Sequence, residues 1–157
     1  MQQSENFPIR VGIIGAGRVS KRHADAISRM DGFELAAISD PAPDAAKKLA
    51  EPYGAEALHD NHAILCNPTI DVIYICTPHY LHHPYALEAL RNGKHVFIEK
   101  PMANTVEECR EINREARERG LLVSVGHQQR YFPYNRRLRE LLEDGIIGEL
   151  RIITDHL

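Results

Sequence analysis

Short apolar runs alternate along most of the chain with longer segments that carry apolar residues at helical spacing. The first run, Ile9–Ile14, ends at a Gly-Ala-Gly turn, and residues recurring every three or four positions follow it at once. Residues 71–76 form a nearly unbroken run without polar alternation, which is typical of a strand covered on both faces. The alternation therefore predicts an α/β fold with a doubly wound parallel sheet.

The same pattern predicts the individual elements. Further strands are expected at 33–38, 55–58, 71–76, 95–98 and 121–125. Helices are expected after the glycine turn, from Pro43, at His62 to Cys66, from Pro84 to Arg91, from Thr105 to Gly120 and from Pro133 to Glu143. The first helix is expected to turn one apolar face inward, formed by Val19, His23, Ala26, Ile27 and Met30.

The pattern changes after Gly126. The last helix is expected to bury Leu138, Leu141 and Leu142, and a further strand is expected from 147 to 154 because apolar and polar residues alternate there. We interpret residues 1–126 as one domain and 127–157 as the linker helix and first strand of a second α/β domain, truncated after that strand.

The glycine turn after the first strand predicts an anion site. Backbone N–H groups and the positive end of the following helix dipole would face one point, where a pyrophosphate fits. Gly15 serves the turn and Gly17 allows the phosphates to approach the backbone. Ser20 stands where the usual third glycine would be, and a serine is still small enough for close packing of helix and strand. The residues predicted to bind cofactor here are Gly15, Gly17, Arg18 and Val19.

An acidic residue follows the second strand. Asp40 lies about 20 residues beyond the turn, the distance at which a carboxylate hydrogen-bonds the adenosine ribose of a dinucleotide. Such a carboxylate repels a 2′-phosphate, so NAD is expected in preference to NADP. The alternative is that Asp40 merely begins a turn before the next helix, since the segment reads Asp-Pro-Ala-Pro. The other candidates at strand ends are Thr77, Lys100 and His127.

Composition excludes several classes of protein. A formal charge of -3 and a pI near 6.3 give no basic stripe for nucleic acid. No apolar run approaches the roughly 20 residues that a bilayer helix needs, so a cytoplasmic protein without membrane contact is expected. Cys66, Cys76 and Cys109 are expected to be reduced thiols. No metal is expected, because the sequence has neither an H-E-x-x-H motif nor a cysteine cluster.

Four motifs in order resemble the Gfo/Idh/MocA family of NAD(P)-dependent oxidoreductases. They are GAGRVSKRH, ICTPHYLHHPYALEAL, GKHVFIEKPMA and VGHQQRYFP, and the resemblance spans essentially the whole chain, from Ile9 to the final strand. The resemblance implies a Rossmann domain followed by a larger α/β domain that closes the substrate site. It also implies hydride transfer between nicotinamide and a hydroxyl-bearing carbon of a sugar, cyclitol or sugar nucleotide.

The resemblance assigns further roles to residues of this chain. Lys100 matches the family's E-K-P lysine and is the expected catalytic residue, while Glu99 is expected to orient the ribose or the lysine. Thr77, Pro78 and His82 match a segment that lines the cofactor, although His79 replaces the family's asparagine. Gln128 and Arg130 match positions near the nicotinamide, with Arg130 equally a surface ion-pair partner. His23 matches a family histidine and is expected only to pack.

The resemblance also defines what is missing. An aspartate and a histidine of the family's second domain complete the catalytic set, and the chain ends before any segment that would supply them. We therefore expect the chain as given to bind NAD but to turn over little or no substrate. We also expect a homo-oligomer that buries Ile146, Ile147, Leu150 and Ile152.

Two other functions stay open at this point. One is a non-catalytic NAD(H)-binding module, such as a redox sensor, in which Lys100 has no chemical role. The other is an NADPH-dependent reductase of a ketosugar or sugar nucleotide. The substrate itself cannot be derived from the sequence.

Overall fold

The computed structural model describes residues 8–146, 148–152 and 154. The chain divides into two compact units, Met1–Gly126 and His127–Leu157, and each is described by itself below.

The first unit is built on one parallel sheet of six strands, in the order β3-β2-β1-β4-β5-β6. This order places the ends of β1, β2, β4 and β5 next to one another and confirms the doubly wound α/β prediction. The strands are β1 Ile9–Ile14, β2 Phe33–Ser39, β3 Glu56–Leu58, β4 Val72–Ile75, β5 His95–Ile98 and β6 Val123–Val125.

Five α-helices lie in the described part of this unit, and a sixth lies in the described part of the second. They are α1 Arg18–Ile27, α2 Pro43–Ala50, α3 Asn61–Cys66, α4 His82–Arg91, α5 Val106–Arg119 and α6 Pro133–Glu143. The expected capping box of α5 is present: the Glu108 N–H donates to Thr105 Oγ1 at 3.1 Å, and Glu108 Oε2 accepts from the Thr105 N–H at 3.2 Å.

Apolar side chains form two clusters on opposite faces of the sheet. On β1, Val11 and Ile13 pack with α1 residues Ala24 and Ile27, whereas Ile14 packs in the other cluster with residues of α3, α4 and α5. The sheet is thus covered on both sides, which is why its central strands need no polar alternation.

The predicted inner face of α1 is wrong in part. Val19 and Met30 are 38% and 44% exposed, and the buried residues are Ser20, Ala24 and Ile27. The two small side chains of this face let the helix approach the sheet closely, which larger residues would prevent. Residue size, rather than hydrophobicity alone, therefore selected the face.

The second unit differs from its prediction. Helix α6 has its predicted bounds, but it has no buried residue, and Leu138 is 45% exposed. Residues 148–152 do not form a strand, while Ile147 and Ile153 lie outside the described residues. A strand requires hydrogen bonds to a neighbour, and the described part of this unit contains no strand that could provide them.

No helix within the described ranges has both the length and the apolar character needed to cross a bilayer.

Candidate functional site

The turn after β1 requires a glycine at position 15. Gly15 has φ +93°, and a Cβ atom there would lie 2.6 Å from the carbonyl oxygen of Cys76. Its N–H donates to the Ser39 carbonyl at 2.7 Å, so the turn is tied to the end of β2. The fold itself therefore explains this glycine.

Gly17 is different, because nothing in the fold demands it. Its φ is -80°, which any residue adopts, and a Cβ atom would meet no atom within 4 Å. Gly17 caps the start of α1 without a side-chain hydrogen bond. The first-turn N–H groups, including those of Arg18 and Val19, have no intrahelical acceptor. The position thus combines open space with free donors and a positive helix end, which suits an anion.

Asp40 links the glycine turn to the next helix. Its Oδ2 accepts the Ala16 N–H at 2.8 Å and its Oδ1 accepts the Ala42 N–H at 2.9 Å. The bond to Ala42 begins the segment that leads to α2, so Asp40 does form the turn that the sequence offered as an alternative role. The bond to Ala16 places the same carboxylate at the glycine turn, where a ribose would have to lie for the predicted role.

The loop after β4 brings Thr77 and Pro78 to the same edge of the sheet. The Thr77 hydroxyl is buried and has no hydrogen-bond partner among the described residues. A buried hydroxyl without a partner is costly. An orphaned polar atom beside the open glycine turn is what a site for a polar cofactor would contain, so these residues fit a dinucleotide.

His82 lies beneath this loop and is fully buried. One ring nitrogen, Nδ1, is 2.7 Å from the Pro101 carbonyl oxygen, and Nε2 is 2.9 Å from that of Thr77. The ring therefore connects the loop after β4 to the loop after β5. Both of its short polar contacts are with backbone carbonyl oxygens, and its ring packs edge-on against that of His79.

Glu99 and Lys100 follow β5. Glu99 Oε1 lies 2.8 Å from His23 Nε2, and Glu99 Oε2 accepts the Lys100 N–H at 3.2 Å. Lys100 is exposed, and none of the described carboxylates forms an ion pair with its ammonium group. Lys100 is thus available to a ligand, whereas the Glu99 side chain is held by His23.

His23 has a polar role that the sequence analysis missed. Besides its bond to Glu99, its ring packs edge-on against Tyr74 and Phe97, with centroids 5.4 and 5.1 Å away. These two rings stack on each other at 4.5 Å. In the sequence, the only sign of this pair is a histidine in the helix after the glycine turn and an acid after a later strand. The order of the strands is what brings His23 and Glu99 together.

Two groups near this cluster are held in their neutral forms by burial. Desolvation raises the pKa of the Tyr74 phenol, and it raises the pKa of the Cys76 thiol to about 12. Cys76 is therefore a structural thiol without nucleophilic character at neutral pH.

Gln128 and Arg130 belong to the second unit. They lie in a short 3₁₀ turn, Gln128–Tyr131. A groove within this unit is lined by Gln129, Arg130, Asn135, Arg136 and Arg139, and its three guanidinium groups make it basic.

Comparisons with known proteins agree with this fold. Residues 9–127 match the model of the Gfo/Idh/MocA group, described as an oxidoreductase family with an NAD-binding Rossmann fold. D-glucoside 3-dehydrogenase of Escherichia coli (strain K12) is 38% identical over 149 residues, 94% of this chain and 42% of that protein. Inositol 2-dehydrogenase of Rhizobium meliloti (strain 1021) is 34% identical over 146 residues, 93% of this chain and 44% of that protein.

A solved structure is similar as well. The crystal structure of KijD10, a 3-ketoreductase from Actinomadura kijaniata in complex with NADP, superposes with a TM-score of 0.86 and 34% identity, covering 90% of this chain and 46% of that one. The chain therefore spans less than half the length of these relatives.

Proposed function

The chain belongs to the Gfo/Idh/MocA family of oxidoreductases with an NAD-binding Rossmann fold, and from this we propose that it forms the cofactor half of a sugar or polyol dehydrogenase. The proposed reaction transfers hydride between a nicotinamide and a hydroxyl-bearing carbon of a sugar, cyclitol or sugar nucleotide. The relatives named above support this class, since they are named as a glucoside dehydrogenase, an inositol dehydrogenase and a 3-ketoreductase.

The proposed site for the pyrophosphate is the start of α1. Gly17 leaves space for the phosphates, and the N–H groups of Gly17, Arg18 and Val19 would donate to them. The N–H groups of Gly15 and Ala16 are already used by Ser39 and Asp40, so we assign Gly15 to shaping the turn. Thr77 would donate its unpartnered hydroxyl to the cofactor, with Pro78 beside it.

Lys100 is the residue that we assign to catalysis. A bound nicotinamide would exchange hydride with the substrate carbon. During reduction, the exposed ammonium group would hydrogen-bond the carbonyl oxygen, stabilise the negative charge that develops there as hydride adds to the carbon, and give the proton that completes the hydroxyl. Oxidation would run through the same steps in reverse. Glu99 would hold the loop that carries the lysine, with His23 fixing Glu99 and His82 fixing the surrounding loops from below. We keep Gln128 as a proposed contact near the nicotinamide.

The hydrogen bond between Asp40 and the Ala16 N–H carries the proposal that NAD is preferred over NADP. This bond holds the carboxylate at the glycine turn, and lone pairs remain on both oxygens for the ribose hydroxyls. A 2′-phosphate there would meet the carboxylate's negative charge. The competing proposal is an NADPH-dependent ketoreductase, which is favoured by the NADP bound to the related KijD10.

The two proposals are separated by titrating the chain with NADH and, in a separate sample, with NADPH. Binding is measured in each titration by the fluorescence of the cofactor. We expect tighter binding of NADH. Asp40→Asn should then narrow the gap between the two affinities by about tenfold, or ~1.4 kcal/mol, because the charge that repels phosphate is removed. Asp44→Asn is the control, since Asp44 is exposed in the first turn of α2. Tighter binding of NADPH by the unmutated chain would overturn the NAD assignment.

We further propose that residues 127–157 begin a second domain and that this region associates with a second copy. Ile146, Leu150 and Ile152 are 65%, 47% and 83% exposed, which leaves apolar surface available for an interface. Light scattering tests this, and a monomer at high concentration would contradict it.

A further inference from the structure

Three potential metal ligands meet on the surface of the first unit. His62 and Cys66 lie one helical turn apart on α3, and Glu88 projects from the neighbouring α4. One ligand atom from each residue lies within 4.8 Å of those of the other two. The sequence pattern does not reveal the group, because its third member comes from a different helix. None of these residues belongs to the proposed cofactor site.

The sulfur-to-nitrogen distance between Cys66 and His62 suits a tetrahedral ion. Cys66 Sγ lies 3.5 Å from His62 Nε2 and 3.9 Å from His62 Nδ1. With Zn–S near 2.3 Å and Zn–N near 2.0 Å, sulfur and nitrogen ligands of one tetrahedral zinc ion stand about 3.6 Å apart. The Glu88 carboxylate is hydrogen-bonded to His62 Nδ1, so the acid already reaches the same ring.

The two helices are held in place by contacts outside the group. Asp60 accepts the His62 N–H at 2.8 Å and so caps α3. Asn61 donates to the Tyr85 hydroxyl at 2.9 Å, which ties α3 to α4. The backbones that carry the three ligands are therefore positioned before any ion arrives, which lowers the cost of binding one.

The chemistry of the ligands selects the ion. A thiolate, an imidazole and a carboxylate together neutralise a divalent cation, and a sulfur ligand with nitrogen favours zinc over magnesium or calcium. The His62 side chain is 70% exposed and Cys66 is also exposed, so an ion and a completing water have free access.

We propose that His62, Cys66 and Glu88 form a surface site for Zn²⁺, with water in the fourth position. The bound ion would clamp α3 to α4. Because it would bind the folded chain and not the unfolded one, it would raise thermal stability as its concentration rises.

The test uses the full chain, reduced with a non-chelating reagent and freed of metal. Zn²⁺ binding is measured by calorimetry, and Co²⁺ is used as a spectroscopic probe. We expect one equivalent of metal, a thiolate-to-Co²⁺ charge-transfer band, and a melting temperature that rises with added Zn²⁺.

The variants assign the ligands. Cys66→Ser should abolish the charge-transfer band. His62→Gln and Glu88→Gln each remove a direct ligand, so each should weaken binding at least as much as the roughly 10- to 100-fold that loss of an outer-shell partner costs. Cys109→Ser and His59→Gln are the controls, because each removes a residue of the same type outside the group, and both should bind metal normally.

Two results would overturn the proposal. One is the absence of saturable Zn²⁺ binding and of the Co²⁺ band in the unmutated chain. The other is binding that persists unchanged in Cys66→Ser or is lost equally in Cys109→Ser.

Discussion

The two ends of the candidate site are built differently. At the start of α1, the turn is fixed by backbone hydrogen bonds from Gly15 to Ser39 and by the bond from Ala16 to Asp40. At the end of β5, Glu99 is fixed by the His23 side chain, and the exposed Lys100 follows it. The phosphate end is therefore shaped by the backbone of the turn and by one side chain, Asp40, and the backbone conformation admits few residues at position 15. The end that carries Lys100 depends on contacts between side chains. Substitutions can change these contacts without changing the fold.

The largest effect is expected from Lys100→Ala. Loss of the ammonium group should lower kcat by about 10²- to 10⁴-fold, because the developing charge on oxygen loses its partner. The affinity for NADH should be largely retained. Turnover is measured by NADH absorbance, in a form of the protein that has measurable turnover. The control is Lys48→Ala, because Lys48 lies on the exposed side of α2. Unchanged kcat in Lys100→Ala would remove the catalytic assignment.

Gly15→Ala should damage the fold itself. A positive φ combined with a Cβ atom 2.6 Å from the Cys76 carbonyl oxygen should lower the free energy of unfolding by about 3 kcal/mol. Chemical denaturation measures this loss. Gly54→Ala is the matched control, because it has φ +67° with no atom within 4 Å and should cost only about 1 kcal/mol. Equal losses of unfolding free energy in Gly15→Ala and Gly54→Ala would show that the close approach of residue 15 to Cys76 does not add to the cost.

Gly17→Ala should have the opposite profile. The free energy of unfolding should change by less than about 0.5 kcal/mol, since the added methyl group meets no protein atom. The affinity for NADH should fall about tenfold, because the methyl group occupies space proposed for the phosphates. Denaturation and NADH titration on the same sample test both statements. Normal NADH affinity would place the pyrophosphate elsewhere.

The smallest effect is expected from His23→Phe, which keeps an aromatic ring but removes the bond to Glu99. The free energy of unfolding, measured by chemical denaturation, should fall by about 1 kcal/mol. Turnover, measured in the same form of the protein as for Lys100→Ala, should fall because the loop carrying Lys100 loosens. His83→Phe is the control: His83 Nε2 lies 2.9 Å from Glu111 Oε2, a similar pair between α4 and α5. If both variants affect turnover equally, His23 has no positioning role.

The glycine turn and the capping box of α5 were predictable because they depend on neighbours in the chain. The bounds of β1, β5 and α6 agree with the prediction for the same reason. The buried face of α1 was mispredicted in part, because close packing on the sheet favoured Ser20 and Ala24 over larger apolar residues. The strand expected at 147–154 is absent from the described residues of that segment, since alternating residues alone provide no hydrogen-bond partner for a strand.

By itself the sequence determined the alternation of strands and helices and the residues at the strand ends, because periodicity and turn chemistry are local. Only the tertiary structure decided which of those residues meet. The order of the strands brings Asp40 to Ala16, and it brings His23 to Glu99 across 76 positions of the chain. The packing of α3 against α4 likewise brings Glu88 to His62. Such contacts depend on how the whole sheet assembles, and no local pattern encodes them.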